Sequence, residues 1–268
     1  MTALRAPSTR PAPPPIAARA RDLLVSEWTK LRSVRSTYWT LLVATITPIA
    51  AGALIAFAFT AGPHTQRSVD PMLPGFVSLE YAVLAIGTLG VLTITAEYSS
   101  GLAATTFAAM PRRWAVLAAK ATVTGLVALI AGETASFTSF FIIQAILARK
   151  HLGVSLAHPG AAGAVAAEGA LLMVCALLGL GVGTLIRHTA GGLATLVGLL
   201  FLPAILGVLP APWNDRVDRF TVFYAAGQVV ELHPNAGLLS PALSLVVLLT
   251  WVAAALAGAA VVITRRDV

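Results

Sequence analysis

Glu97-Tyr98-Ser99-Ser100-Gly101 leaves one long apolar run, and Pro111-Arg112-Arg113 leads into the next. A polar link this compact, set between two apolar segments, reads as the turn between two membrane spans and as a contact surface for a partner. The flanking segments have the required length, since a hydrocarbon core of about 30 Å takes roughly 20 helical residues. Apolar runs of that order recur at 38–61, 76–96, 114–147, 160–186, 189–209 and 241–263. They predict an all-α polytopic membrane protein with six transmembrane helices. A closed barrel would instead show short alternating segments, whereas these runs are apolar on every face and rich in Ala, Leu, Val and Gly. Composition agrees: 57% of the 268 residues are apolar, 11% are charged, and the mean hydropathy is +0.85. Those values lie outside the usual mix of a soluble domain.

The cations set the orientation, because cytoplasmic loops carry an excess of Lys and Arg. With both termini in the cytoplasm, only Arg67, Arg149, Lys150, Arg216 and Arg219 face outward, and the other thirteen lie inside. Arg149-Lys150-His151 is the one loop that sits badly. The net charge of +7 is spread along the flanks of apolar runs, where it meets anionic lipid headgroups, so membrane lipid is the expected partner and nucleic acid is not.

Residues 1–20 hold Pro7, Pro11, Pro13, Pro14 and Pro15 among Ala, Ser and Arg, and read as a disordered cytoplasmic tail. No apolar core follows the N-terminal charges until residue 38, so the first span is expected to act as an uncleaved signal anchor. Residues 21–37 form an interfacial elbow helix: Leu24, Trp28 and Leu31 repeat at helical spacing, with Lys30, Arg32 and Arg35 between them. Trp28 suits the interface, and two readings stay open for this helix: a plain lipid anchor, or an elbow that a cytoplasmic partner also touches through Glu27 and Lys30. The remainder, 38–268, is the six-helix transmembrane domain, with Pro48 expected to kink its first span.

The third run, 114–147, is too long for a straight crossing, and Lys120 near its start is expected to snorkel to the inner headgroups. Farther along, Gly132-Glu133-Thr134, Ser136, Thr138 and Ser139 make a polar belt near mid-membrane. A carboxyl group at that depth faces protein or water by default. Glu133 is therefore the substrate-path candidate, with a protonated structural donor and a proton carrier as its other two roles. Glu168 and Glu80, nearer their span ends, are weaker candidates. Cys175 is the only cysteine and reads as a packing residue, while Gly179, Gly181 and Gly183 allow close helix approach. The segment from Pro210 to Ser240, with Phe220, Val222, Phe223 and Tyr224, is expected to form a short helix or hairpin on the outer surface that caps the bundle, with gating of the outer mouth as the other role, collared by Asp215, Arg216, Asp218 and Arg219.

Catalytic motifs are missing. Lys30, Lys120 and Lys150 are the only lysines and none follows a phosphate-binding glycine loop; H-E-x-x-H, G-x-S-x-G and C-x-x-C are also absent. His151 and His158 have no thiol or carboxylate beside them, so no metal site is expected.

Ser26-Glu27-Trp28-Thr29-Lys30-Leu31-Arg32-Ser33 before the first span, together with Glu97-Tyr98-Ser99-Ser100-Gly101 before Pro111-Arg112-Arg113, resembles the permease subunits of type-2 ABC exporters, especially those of actinobacteria. The resemblance covers the chain from about residue 22 onward and is specific in those two segments. It implies a plasma-membrane permease that dimerises, as a homo- or heterodimer, and binds a separate cytoplasmic ATP-binding subunit. It also implies that Glu97, Tyr98, Ser100, Gly101, Arg112 and Arg113, with the helix up to Met110, form a coupling helix on that subunit. No enzymatic activity is expected of this chain and no cofactor bound by it; ATP and Mg would belong to the partner. The alternative from another class is a proton-coupled secondary transporter using Glu133, with Glu168. An intramembrane lipid enzyme would need two polar catalytic groups at one depth, and Glu133 has no His or Asp at its level.

Overall fold

In the computed structural model the described residues, 16–61, 70–110, 112–202, 206, 217–230 and 239–265, form helices and turns with no strand among them. Five helices are long and apolar enough to cross a membrane: α2 (Arg35–Ala61), α3 (Leu73–Ser99), α5 (Arg113–Ala148), α6 (Ala161–Ile186) and α9 (Pro241–Arg265). Among the described residues the shorter helices include α1 (Ile16–Ser33), α4 (Leu102–Ala109), α7 (Thr189–Leu200) and α8 (Val222–Val230). The length and composition of the five are those of a helical membrane protein. Of the sixth apolar run, 189–209, α7 supplies 12 helical residues, and 203–205 and 207–209 lie outside the described residues.

Helix α6 is the axis of the bundle, with 72% of its apolar window buried against 22% for α2 and 17% for α9. Small residues put it there. A Cβ on Gly90 of α3 would overlap the Ala176 carbonyl oxygen, one on Gly179 would overlap that of Gly87, and one on Gly132 of α5 would overlap that of Gly169. Without side chains at these points α3 and α5 pack backbone to backbone against α6, gaining dispersion contacts that association in lipid depends on. Leu172, Cys175, Leu178 and Leu180 of α6 are then enclosed between them. On the flank, the Ser139 hydroxyl of α5 donates to the Pro48 carbonyl of α2 at 3.1 Å, and α2 stays helical through Pro48.

Directions follow from these contacts. Arg113 donates to the Ile263 carbonyl at 3.1 Å and Arg187 to the Val262 carbonyl at 3.2 Å. The start of α5 and the ends of α6 and α9 therefore share one end of the bundle. The end of α3 joins them, because the Arg187 guanidinium lies 5.3 Å from the centre of the Tyr98 ring. Helices α1 and α4 sit at this same end. Since α9 runs parallel to α6, the chain between them crosses to the opposite end through α7 and α8.

Three expectations are corrected. Residues 16–20 belong to α1 and not to a tail, whereas 1–15 lie outside the described residues. The helix at 21–37 has other bounds: α1 ends at Ser33, and Arg35-Ser36-Thr37 already form the first turn of α2. Most of the expected outer segment, 210–216 and 231–238, lies outside the described residues, but α8 does not rest on a surface. Val222, Ala225, Ala226 and Val230 are buried, the first three in the main core beside Leu171 and Cys175. Apolar residues on one face of so short a helix gain more from the gap between α6, α7 and α9 than from an interface.

The glycine contacts predict opposite signs for one substitution at two positions. Gly90→Ala is expected to lower thermal stability, because a rigid backbone must move. Gly163→Ala in α6, where a Cβ meets nothing within 4 Å, is expected to raise it by up to about 1 kcal/mol through reduced chain entropy. Thermal unfolding of the two variants in detergent checks the pair.

Candidate functional site

At the α1 end, four charged side chains from three helices close into a ring. Lys120 Nζ of α5 lies 2.5 Å from Glu27 Oε2 of α1 and 2.7 Å from Glu97 Oε1 of α3. Lys30 Nζ of α1 lies 2.7 Å from Glu27 Oε1 and 3.1 Å from Glu97 Oε1. Each carboxylate meets both ammonium groups, and the four charges cancel. Lys120, Glu27 and Glu97 are only 2%, 3% and 6% exposed, so these are charges taken out of water, where a missing partner is costly. Helix geometry delivers them: Leu23, Glu27, Lys30 and Leu31 share one side of α1, with Leu31 buried and Leu23 against the core.

The sequence reading gave these residues different work. Lys120 does not snorkel to headgroups; it is the most buried member of the ring. Glu27 is buried against Lys120, and Glu97 points into the bundle and not out of the turn. The reason is common to all three, because a carboxylate or ammonium buried at a helix junction is stabilised by the opposite charge beside it more than by an interface it cannot fully reach. Lys30 alone stays part-exposed, with 24% of its side chain accessible. Burial by itself would lower the basicity of its ammonium, but Glu27 and then Glu97 outweigh that and hold its pKa above the ordinary lysine value of 10.5. A folded-state pKa that is raised contributes stability in full below the unfolded value and loses it as pH climbs through the folded one.

Next to the ring, Gly101 turns the chain with φ +73°, a left-handed conformation suited to glycine, and α4 starts at once. Met110 is extended (φ −124°, ψ 100°), as the residue before a proline prefers; Pro111 itself lies outside the described residues. Helix α4 is held by its inner face. Ala103 and Phe107 are buried with Ile94, Val116, Leu117, Leu180, Ala259 and Ile263, and the Arg113 guanidinium lies 5.9 Å from the Phe107 ring centre. Arg113 is thus a clamp between α4 and α9, and only Arg112 of the pair is exposed. Ser100 is spent locally, donating to the Ala96 carbonyl at 2.8 Å. Tyr98 stacks under Arg187, a residue the sequence reading used only as an inner charge. On α1, Trp28 is 46% exposed. The outer face of α4 shows Leu102, Ala104, Thr105 and Ala108.

Glu97 also lines a cavity of about 150 Å³ with Lys30, Ser33, Ser36, Thr37 and Thr93, room for a few waters. Among the described residues its Oε2 has no hydrogen-bond partner.

The polar belt of α5 is rearranged as well. Glu133 is half-buried and lies against Gly169, while Glu168, ranked below it from the sequence, is 3% exposed. Ser136 Oγ lies 2.7 Å from the Val165 carbonyl oxygen and 2.9 Å from Glu168 Oε2. A hydroxyl has one hydrogen and cannot serve both. Ser136 therefore donates to one of these two acceptors at a time.

Compared with protein-family models and with curated proteins, the sequence matches none.

Three outcomes are expected. Lys120→Met leaves two carboxylates facing Lys30 alone and should cost about 3–5 kcal/mol, seen as a large fall in Tm, whereas exposed Arg112→Ala should change stability by less than about 0.5 kcal/mol. The parent protein should lose part of its stability above pH 10.5 as Lys30 gives up its proton, and Lys30→Met should remove that part. Glu168→Gln keeps a side-chain oxygen of the same shape to accept from Ser136 and should stay within about 1 kcal/mol of the parent in the same unfolding measurement. A drop as large as that of Lys120→Met would count against that role.

Proposed function

We propose that this chain is the permease subunit of an ATP-driven exporter of the ABC type. It crosses the plasma membrane six times with both termini cytoplasmic, and works as a dimer with a separate ATP-binding subunit that carries ATP and Mg. The observation that carries the reading is the mechanical union at the α1 end: a short helix, α4, presents one face outward and is fixed through the other to α3, α5, α6 and α9.

A push on α4 therefore reaches the starts and ends of several long helices without passing through a flexible link. Arg113 and Phe107 tie α4 to α5 and α9. The charge ring ties α1 to α3 and α5. In this reading the coupling surface consists of Leu102, Ala104, Thr105 and Ala108 with Arg112, and Glu97 acts behind it as a positioning residue. ATP binding in the partner would close the ATPase pair and rock these helices together. The exposed apolar sides of α2 and α9, with Leu54 at 70% and Val246 at 57% exposure, are available to lipid and to a second permease copy.

The test uses the detergent-solubilised chain drawn from its own membrane. An ATP-binding subunit is expected to come with it and to be lost on Ala108→Trp, which enlarges the exposed face of α4 and leaves the charge ring intact. Thermal unfolding of the variant should match the parent. Reproducible absence of such a subunit, with transport that follows a proton gradient, would replace this reading by the proton-coupled one.

A further inference from the structure

Away from the charge ring, in the half of the bundle at its opposite end, a cavity of about 260 Å³ opens between α3, α6, α8 and the end of α7. Its walls are apolar and include Leu79 and Cys175, and three phenylalanine rings border it: Phe76, Phe201 and Phe223. Phe76 and Phe223 stand 6.2 Å apart at their ring centres with planes inclined by 52°, so they form two sides of a corner and leave its interior open. Among the described residues one carboxylate shares the lining, that of Glu80, two turns into α3. Among the described residues its carboxylate has neither an ion pair nor a hydrogen bond.

Glu80 is exposed at the edge of this cavity, so its carboxylate is open to a cation that enters it. Glu97 and Glu27 are compensated by lysines and Glu168 by Ser136; Glu80 has no such partner, yet it borders an apolar space edged by aromatic faces. Aromatic faces attract cations through their quadrupoles, most strongly where water is excluded, and they recognise quaternary ammonium groups in particular. An adjacent carboxylate adds charge complementarity. The geometry points to this cavity as a binding site for a lipophilic ammonium cation, its apolar part against Leu79 and Cys175, its charge between the phenylalanine rings and Glu80. A neutral lipid chain would fill the apolar walls equally well but would leave Glu80 uncompensated. The site goes beyond the exporter reading and stands without it, since binding needs neither ATP nor a partner subunit.

Phenyltrimethylammonium and its neutral isostere tert-butylbenzene have the same shape and differ in charge, so they separate the two occupants. With the chain in lipid nanodiscs and no nucleotide, isothermal titration is expected to show tighter binding of the cation than of the isostere. Glu80→Gln should weaken the cation by about tenfold and leave the isostere unchanged, and Phe223→Leu should weaken the cation again. Glu80 is exposed, so Glu80→Gln is expected to fold as the parent does, checked by its Tm. Equal binding of the two probes, unchanged cation affinity in Glu80→Gln, or no binding by the parent would each overturn the proposal. Cation binding without ATP-driven export would leave the site standing and remove the exporter reading.

Discussion

Charge neutrality in a buried space is the constraint on which one whole end of this protein depends. Two carboxylates and two ammonium groups meet where α1, α3 and α5 converge, and none of the three deeply buried members could stay ionised there alone. Removing any one leaves its neighbours unbalanced, so α1 cannot lift away without exposing the imbalance. That makes a helix with only one inward side, and with Trp28 exposed on its other side, a fixed part of the bundle. The ring sits directly behind the Gly101 reversal, and the same region carries Arg113 against Phe107 and Arg187 against Tyr98. Polar interactions concentrate at this end because here the long helices terminate and their side chains must link elements that backbone packing does not hold together.

The rest of the bundle is held by the opposite means. Between α3, α5 and α6 there is almost no charge, and glycines bring backbones together so closely that a methyl group would collide with a carbonyl oxygen. One end is thus a specific electrostatic joint and the middle a close van der Waals contact. Rigid helices joined this way move as bodies and not as flexible segments, which is the property a transmitted push requires. The apolar cavity under α8 opens to the side of these contacts, and there larger rings replace small residues.

Several elements were legible before any coordinates. Long runs apolar on every face can satisfy their backbone only as helices, so α2, α3, α5, α6 and α9 follow from composition and length, to within a few residues at each end. Gly101 and the residue before Pro111 announced the bounds of α4, because glycine permits and proline requires particular backbone angles. Gly179, Gly181 and Gly183 announced close contact. The burial of α8 was legible only in part: its apolar residues suggested a cap on the bundle, but an apolar stretch of that length suits a membrane surface and a bundle crevice equally.

Side-chain partners were the least legible. Lys120 and Glu97 stand 23 residues apart, and Glu27 a further 70 before Glu97, with no local spacing to relate them; the one available hint was a lysine inside an apolar run while two carboxylates nearby in the topology lacked partners. Depth along the spans ranked Glu133 above Glu168, and only the approach of α5 to α6 at Gly132 and Gly169 set Glu168 deep inside and Glu133 at the edge. By itself, then, the sequence determined that this chain is helical, apolar enough for a membrane, and turned sharply at Gly101, because those properties follow from local backbone and solvation energies. Tertiary structure alone decided which charges meet, which carboxyl is buried and which is left at a cavity, because each depends on how separate helices come together in space.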